Sequence, residues 1–370
     1  MNPKHLLVDI SAHGFGHVAQ TAAVLNALDM QQIRLTIRSK APEALLRARI
    51  QHPFKLIPYQ QDNGMVMHDA LRVDVLETMR WYKAFHADYD ERKREAALAL
   101  EKLKVDMVFA NIPYLSLAGA RLAGVPAIAL CSLNWADIFK HYCAQMPRGA
   151  VYYQEMLAAY DSAQYFLQPE PSMPMPELNN AKAIAPIAQA GIAQREQLLE
   201  SLALPDTAKL ILVALGGIGM QYPLDTWPAI PNVYWIFPDE IIEAHPRRDF
   251  ILQSEAELSY MDLMASCDVV ITKTGYGTQT EAVMNRIPAL CVQRPDWPET
   301  PFLDAWHSEH GEVEFTTWQQ IQAGAFGELI QSLLERAWAK PSIQAKGAVQ
   351  AAELIQQMLS QTTSCYTARF

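Results

Sequence analysis

The chain has 370 residues, of which 50% are hydrophobic and 19% charged, and its formal net charge is −10. Because that length exceeds one ordinary hydrophobic core, we expect a soluble globular protein of two domains. The acidic balance argues against nucleic-acid binding, which needs a basic surface, and against attachment to anionic lipid by charge alone. It leaves peripheral membrane association by other means open.

The apolar runs are short. The first, residues 6–10, is too short for a signal peptide or a membrane span, and no later run approaches the roughly 18 apolar residues that a span needs. The five cysteines are an odd number and lack the spacing of a zinc site. Buried free thiols in a reducing compartment are the simplest interpretation, which predicts a cytoplasmic protein.

Strand-like and helix-like patterns alternate in the first half of the chain. The predicted strands cover residues 6–10, 33–38, 54–59, 107–110 and 127–131. The predicted helices cover residues 18–28, 42–49, a long stretch over 69–103, and 114–123. Such alternation predicts a parallel sheet with helices on both faces, so we place a first Rossmann-like domain at residues 1–167.

A proline-rich segment follows this domain. Pro169, Pro171, Pro174 and Pro176 stand close together, and a chain interrupted in this way cannot form a helix or a central strand. We therefore predict an interdomain linker over residues 168–186.

The second half repeats the alternation. The predicted strands cover residues 210–215, 233–237, 250–252, 269–272 and 289–293, and the helices cover 258–266, 278–285 and 327–338. This predicts a second domain at residues 187–342, with a last helix within 343–370 that packs back on the first domain. The fold class is α/β, with two doubly wound Rossmann-like domains.

A glycine-rich turn stands between a strand and a helix in each half. The first reads HGFGH from His13 to His17, and the second reads TGYGT from Thr274 to Thr278. Glycine lets the backbone approach a ligand closely, and the following helix points free N–H groups and its positive dipole end at that ligand. Two such turns predict two nucleotide-type domains that face each other across a cleft.

Glu281 lies about one turn inside the helix that follows the second turn. Its carboxylate could accept two hydrogen bonds from ribose hydroxyls. The alternative is a capping box, in which Thr278 is the N-cap and Glu281 the third helical residue. Because the spacing Thr-x-x-Glu is common, these residues alone leave both interpretations open.

A longer sequence pattern favours the ribose-binding role of Glu281 over the capping box. Residues 268–295, DVVITKTGYGTQTEAVMNRIPALCVQRP, resemble the donor-binding region of GT-B glycosyltransferases. Similar patterns occur in the peptidoglycan lipid-intermediate N-acetylglucosaminyltransferase, in plant UDP-glycosyltransferases and in the glycosyltransferase-like region of plant arabinokinases. The last also has runs similar to residues 62–64 (DNG), 69–71 (DAL), 132–137 (SLNWAD) and 294–296 (RPD), so the likeness covers most of the chain.

The resemblance implies a glycosyltransferase that moves a sugar from a nucleotide donor, with UDP-sugar the expected donor, to an unidentified hydroxyl acceptor. It also implies that the first domain is the acceptor side and the second the donor side. Direct displacement with inversion would fit a lone histidine base. We expect no cofactor and no metal, because a helix N-terminus with Arg294 or Lys273 would balance the diphosphate charge. The nucleotide sugar is then a substrate.

The resemblance also implies roles for individual residues on the donor side. It places Glu281 at the nucleotide ribose and Asp296 and Glu299 at the hexose hydroxyls. Residues of two loops would meet the diphosphate, namely Thr274, Gly275, Gly277 and Thr278 and, in the first loop of the donor domain, Gly216, Gly217 and Gly219. The chain departs from its relatives after Gly219, because Pro223 and Pro228 break the helix that usually follows.

His17 matches the family histidine at the end of the Gly-x-Gly-His loop, after Gly14 and Gly16. A histidine with a pKa near ~6.5 can remove a proton from an acceptor hydroxyl at neutral pH. A capping or phosphate-contacting role without proton transfer stays equally open. By family likeness Asp69 is a candidate to orient His17, and the alternative is that Asp69 caps the next helix.

Two further interpretations stay open from the sequence. His307 and His310 have the spacing of a metal-binding pair on a helix, but without a third ligand nearby we expect ordinary surface histidines. A nucleotide-sugar hydrolase or epimerase, or a non-catalytic sugar-nucleotide sensor, would keep the same donor loop.

Overall fold

The computed structural model describes residues 3–215, 222–239 and 247–362. The chain forms two compact units, one from residues 1–187 and 345–370 and the other from residues 188–344. Among the described residues, none of the helices combines the length and the apolar character that crossing a bilayer requires.

The first unit is built on a parallel sheet of seven strands. They are β1 (Lys4–Ile10), β2 (Ile33–Arg38), β3 (Lys55–Ile57), β4 (Met107–Asn111), β5 (Ala127–Leu130), β6 (Tyr165–Pro169) and β7 (Ala181–Ile184). Their order across the sheet is β3-β2-β1-β4-β5-β6-β7. Leu6 on β1 pairs with Leu35 on β2 and with Met107 on β4, and all three side chains are buried. Hydrophobic runs that are buried on both faces are typical of such a central parallel strand.

Seven helices connect these strands. They are α1 (Gly16–Asn26), α2 (Glu43–Arg49), α3 (Val75–Ala87), α4 (Tyr89–Leu103), α5 (Tyr114–Ala123), α6 (Trp135–Cys143) and α7 (Gly149–Asp161). The long helical stretch predicted over residues 69–103 is two helices that meet at Asp88. The first of them begins at Val75, because the side chain of Asp74 accepts the N–H of Glu77 as an N-cap.

The proline-rich segment that we interpreted as a linker lies within the first unit. Its first residues end β6, and β7 follows the prolines and pairs in parallel with β6, with Phe166 opposite Ala181. Pro169 is the last residue of β6, and the other three prolines lie between the strands, where a missing N–H costs no ladder hydrogen bond. The chain passes to the second unit only after Ile187.

A buried ion pair joins β1 to β2. Arg38 donates from Nε and Nη2 to the two carboxylate oxygens of Asp9, each at 2.6 Å. Asp9 is fully buried and Arg38 almost so, and the strand register places them opposite each other. Loss of one partner would therefore leave an unpaired charge in the core.

Arg38→Met is expected to lower the free energy of unfolding by about 3–5 kcal/mol, since it leaves Asp9 buried and unpaired. Urea unfolding of the full chain measures this change. Arg34→Met is the matched control, because Arg34 lies on the same strand but is exposed, and its effect is expected within about 0.5 kcal/mol. Equal losses in both variants would contradict a structural role for the buried pair.

In the described part of the second unit, which lacks residues 216–221 and 240–246, the core is a parallel sheet of six strands. They are β8 (Lys209–Ala214), β9 (Val233–Phe237), β10 (Phe250–Leu252), β11 (Val269–Lys273), β12 (Ala289–Val292) and β13 (Val313–Thr316), in the order β10-β9-β8-β11-β12-β13. Its helices are α8 (Arg195–Ser201), α9 (Tyr260–Ser266), α10 (Tyr276–Asn285), α11 (Thr300–His310), α12 (Trp318–Gln322) and α13 (Gly327–Glu335), with short 3₁₀ helices at Leu224–Thr226 and Gln253–Ala256. The two sheets confirm the predicted α/β fold class.

The last helix, α14 (Gly347–Gln361), belongs to the first unit and packs against α1. It begins where the N–H of Gly347 donates to the carbonyl of Pro186 at 3.0 Å. A side chain at this position would not fit, because a Cβ on Gly347 would lie 2.0 Å from the carbonyl oxygen of Ala185.

Each sheet has a point where the strand order reverses. In the first unit it lies between β1 and β4, and in the second between β8 and β11. Open α/β sheets bind ligands at the carboxyl ends of the strands beside such a point. The two glycine-rich turns singled out from the sequence follow β1 and β11, so each lies at the reversal point of its own sheet.

Candidate functional site

His17 lies in the first turn of α1, directly after the glycine turn that follows β1. Gly14 has a φ of +85°, a left-handed conformation that favours glycine. A Cβ built on Gly14 or on Gly16 would meet no described heavy atom within 4 Å. The backbone of this turn is therefore open to an approaching ligand.

Asn111, at the end of β4, fixes the tautomer of His17. Its Oδ1 lies 2.9 Å from His17 Nδ1, and its Nδ2 donates to Gln20 Oε1 at 3.0 Å. In this orientation of the amide Asn111 Oδ1 is the acceptor, so His17 Nδ1 carries the ring proton. The second ring nitrogen, Nε2, keeps its lone pair, which is the atom that a general base uses.

Burial keeps His17 neutral. Loss of solvent lowers its pKa to about 4, and the hydrogen bond to Asn111 opposes this shift. Because the amide of Asn111 carries no charge, it orients the ring without stabilising the imidazolium form by an ion pair. At neutral pH the side chain is thus an oriented, uncharged imidazole.

Trp135, the first residue of α6, packs edge-on against both histidines of the turn. Its ring centroid lies 4.8 Å from that of His13 and 5.5 Å from that of His17. Its indole Nε1 donates to Asp62 Oδ2 at 2.6 Å, and Ser11 Oγ donates to Asp62 Oδ1 at 3.2 Å. A buried carboxylate therefore anchors the aromatic ring beside His17.

Asp69 does not have either role considered for it. Its Oδ1 accepts the N–H groups of Leu71 and Arg72, and its Oδ2 accepts Nε of Arg72 at 2.8 Å. Asn111 holds the His17 ring instead, and α3 is capped by Asp74. Asp69 closes a local turn, because a short carboxylate readily bonds backbone N–H groups two and three residues ahead.

In the second unit the glycine turn leads directly into α10. The N-cap is Gly275, whose N–H donates to Gln279 Oε1 at 2.9 Å. The helix thus begins two residues earlier than predicted, and the capping box of Thr278 and Glu281 is not formed. The N–H groups of the first helical turn belong here to Tyr276, Gly277 and Thr278.

Buried side chains of α10 and α11 hold this turn in place. Asp304 Oδ1 accepts Thr274 Oγ1 at 3.0 Å and Gln279 Nε2 at 3.2 Å, while its Oδ2 accepts Gln293 Nε2 at 3.1 Å. Gln279 Oε1 also accepts the N–H of Gly275. One hydrogen-bond network therefore fixes the first two residues of the turn, Thr274 and Gly275. Such a preorganised turn can bind a ligand without first becoming ordered.

His307 and His310 on α11 do not form a metal-binding pair. The expectation that both are ordinary surface histidines also fails, because one of them is buried. His307 is fully buried, its Nδ1 lies 3.2 Å from Gln279 Nε2, and burial lowers its pKa to about 3. His310 Nδ1 bonds the carbonyl of Trp306. Among the described residues, no group of three or more His, Cys, Asp or Glu side chains could hold a metal ion.

Two basic side chains, Lys273 and Arg294, lie at the carboxyl ends of β11 and β12. Lys273 Nζ lies 4.0 Å from where a Cβ on Gly275 would stand. Burial, together with repulsion from Arg294, lowers the pKa of Lys273 to about 7. The Arg294 guanidinium stacks over the ring of Trp297 at 4.1 Å. Cationic side chains beside a helix N-terminus can bind an anion.

The other donor-side residues differ in exposure. Glu281 lies on the second turn of α10 and is 4% exposed, and Glu299 is buried and accepts the indole N–H of Trp297 at 3.3 Å. Asp296 is exposed. Gly216, Gly217 and Gly219 lie outside the described residues.

Sequence reasoning missed the side chains that hold the two turns. Asn111, Asp62 and Trp135 act in the first unit, and Gln279 and Asp304 in the second. Asn111 carries a recognisable signal, because a polar residue that ends a buried strand next to β1 faces the carboxyl edge of the sheet. Asp304 gives no such signal.

Comparison with known proteins identifies the fold. No family model matches this chain. L-arabinokinase of Arabidopsis thaliana is 23% identical over 312 residues, which make up 81% of this chain but only 29% of that protein. The chain thus spans less than a third of the length of this relative.

Two solved structures are similar over nearly the whole chain. The calicheamicin glycosyltransferase CalG4 has a TM-score of 0.63 at 15% identity, covering 98% of this chain and 100% of that one. The Arabidopsis thaliana protein UGT89C1, solved with UDP, has a TM-score of 0.52 at 12% identity, covering 96% and 100%. This chain shares their two-sheet fold.

Proposed function

We propose that this chain, which has the fold of the GT-B glycosyltransferases, transfers a sugar from a nucleotide donor to a hydroxyl acceptor. UDP-sugar is the proposed donor. The presence of UDP in the structure of UGT89C1 supports this choice, as does the sequence pattern around Glu281.

One observation carries the proposal, namely the fixed tautomer of His17 at an open glycine turn. His17 Nε2 takes the proton of the acceptor hydroxyl. The acceptor oxygen then bonds to the anomeric carbon, while the bond from that carbon to the diphosphate oxygen breaks. The nucleoside diphosphate leaves with the electron pair, and a single displacement inverts the anomeric centre.

The donor is proposed to bind at the N-terminus of α10. The N–H groups of its first turn, with Lys273 and Arg294, would stabilise the negative charge that grows on the leaving diphosphate. Glu281 would bind the ribose hydroxyls one turn further along. With this charge supplied by the protein, the proposed reaction requires no metal ion.

Product analysis of the full chain with UDP-sugars, with and without a panel of hydroxyl compounds, tests the proposal. We expect UDP release that depends on an acceptor, a glycoside of inverted configuration, and no effect of EDTA. Equal donor consumption without an acceptor would favour a hydrolase or epimerase. Donor binding without any turnover would favour a sensor.

A further inference from the structure

Asp62 connects two of the structural elements that surround His17. Its side chain is 2% exposed, and both carboxylate oxygens accept hydrogen bonds from other side chains. Trp135 Nε1 donates to one oxygen at 2.6 Å, and Ser11 Oγ donates to the other at 3.2 Å. The same Ser11 oxygen also accepts the N–H of His13 at 3.4 Å, so Asp62 contacts the indole directly and is linked to the glycine turn through Ser11.

The indole of Trp135 has no room to move towards the loop of Asp62. Gly64 lies against it, and a Cβ on Gly64 would stand 2.8 Å from Trp135 Cζ2 and 2.9 Å from His13 Cδ2. Trp135 itself is fully buried and packs edge-on against His17. The hydrogen bond from its N–H to Asp62 adds to this packing in fixing the ring beside the imidazole.

We propose that Asp62 is a positioning residue for His17, since its carboxylate holds the indole of Trp135 and the indole holds the imidazole ring. This inference rests on the proposed function, in which His17 is the base. A base must stand within about 2.6–3.2 Å of the proton it removes. A displacement of about 1 Å can cost a hundredfold in rate.

The hydrogen bond between Asp62 and Trp135 should also depend on pH. Burial raises the pKa of Asp62 to about 7, against the opposing effect of the bonds from Trp135 and Ser11. The ionised carboxylate accepts stronger, charge-assisted hydrogen bonds than the protonated acid does. The hold on Trp135 should therefore strengthen as the pH rises through neutrality.

Other titratable side chains surround Asp62, and the tyrosines and His17 among them keep one protonation state near pH 7. Burial raises the pKa of each nearby tyrosine hydroxyl above its ordinary value, so these hydroxyls stay protonated near pH 7. The titratable and charged neighbours are Asp9 with its partner Arg38, His13, His17, Tyr82, Tyr114 and Tyr160. His17 has a pKa of about 4 and is neutral throughout this range.

Asp62→Asn provides the test, because asparagine keeps the shape of the side chain but cannot ionise. In the unsubstituted chain we expect kcat to rise as the pH passes about 7. In the variant we expect that rise to vanish, kcat to fall roughly 10- to 100-fold, and the KM for the donor to stay unchanged. Asp90→Asn, which alters an exposed carboxylate on α4, is the control with an unchanged profile.

An NMR readout works without substrate. The indole N–H resonance of Trp135, assigned through Trp135→Phe, should shift with a midpoint near pH 7 in the unsubstituted chain and not in Asp62→Asn. An indole resonance that does not titrate, or a rise in kcat that persists in Asp62→Asn, would overturn the inference. A titrating indole in a chain inactive with every nucleotide sugar would instead overturn the proposed function, and with it the role of Asp62 in catalysis.

Discussion

His17→Gln is expected to lower kcat by about 10²- to 10⁴-fold while leaving the affinity for the nucleoside diphosphate unchanged. Glutamine fills a similar volume and can still bond Asn111, but it cannot accept the proton of the acceptor hydroxyl. Steady-state kinetics give the loss of kcat, and calorimetry with UDP gives the affinity. His68→Gln is the control, because this exposed histidine lies 3.5 Å from Asp74 Oδ2 and has no proposed catalytic role.

The activity that depends on His17 as a base should fall at low pH and not at high pH. The pKa of His17 is lowered to about 4, so the neutral form that accepts a proton persists across the neutral range. Its protonation should reduce activity only as the pH falls towards about 4. A His17→Gln variant as active as the unsubstituted chain would show that another group removes the proton.

Glu281→Ala is expected to weaken UDP binding by about 10- to 100-fold, since hydrogen bonds to a charged carboxylate contribute roughly 1.5–3 kcal/mol. The carboxylate is buried on the second turn of α10, where we propose that it binds the ribose. Calorimetry with UDP and with its 2′-deoxy analogue measures the effect. The unsubstituted chain should prefer UDP, and the variant should bind both nucleotides with equal affinity.

Glu309→Ala is the matched control for this loss, because Glu309 is an exposed glutamate of the same unit. It is expected to leave both affinities unchanged. His17→Gln should also retain full UDP affinity, which separates donor binding from proton transfer. Equal binding of UDP and its deoxy analogue by the unsubstituted chain would rule out the ribose role.

The central parts of both sheets could be predicted from the sequence. Runs such as Ile33–Arg38 and Val233–Phe237 match their strands, because both are rich in β-branched or aromatic residues and largely buried. The edge strands Ala181–Ile184 and Val313–Thr316 were missed. Each has four residues and is partly exposed, so its sequence lacks a continuous apolar run.

The glycine turns of the candidate site could also be predicted, because a strand, a glycine pair and a helix are adjacent in sequence. The side chains that hold them could not. Asn111 lies 94 positions from His17, and Trp135 lies 73 positions from Asp62, so only the folded sheet brings them together. Nor could the burial of His307 be predicted, because it depends on how α11 packs against Gln279.

The most direct test of the central claim is a crystal structure of the full chain with bound UDP. We expect the diphosphate oxygens to lie within hydrogen-bonding distance of the N–H groups that begin α10 at Tyr276, Gly277 and Thr278. We also expect the ribose hydroxyls to contact Glu281. UDP bound at another place in the fold, or no binding at millimolar concentration, would contradict the claim.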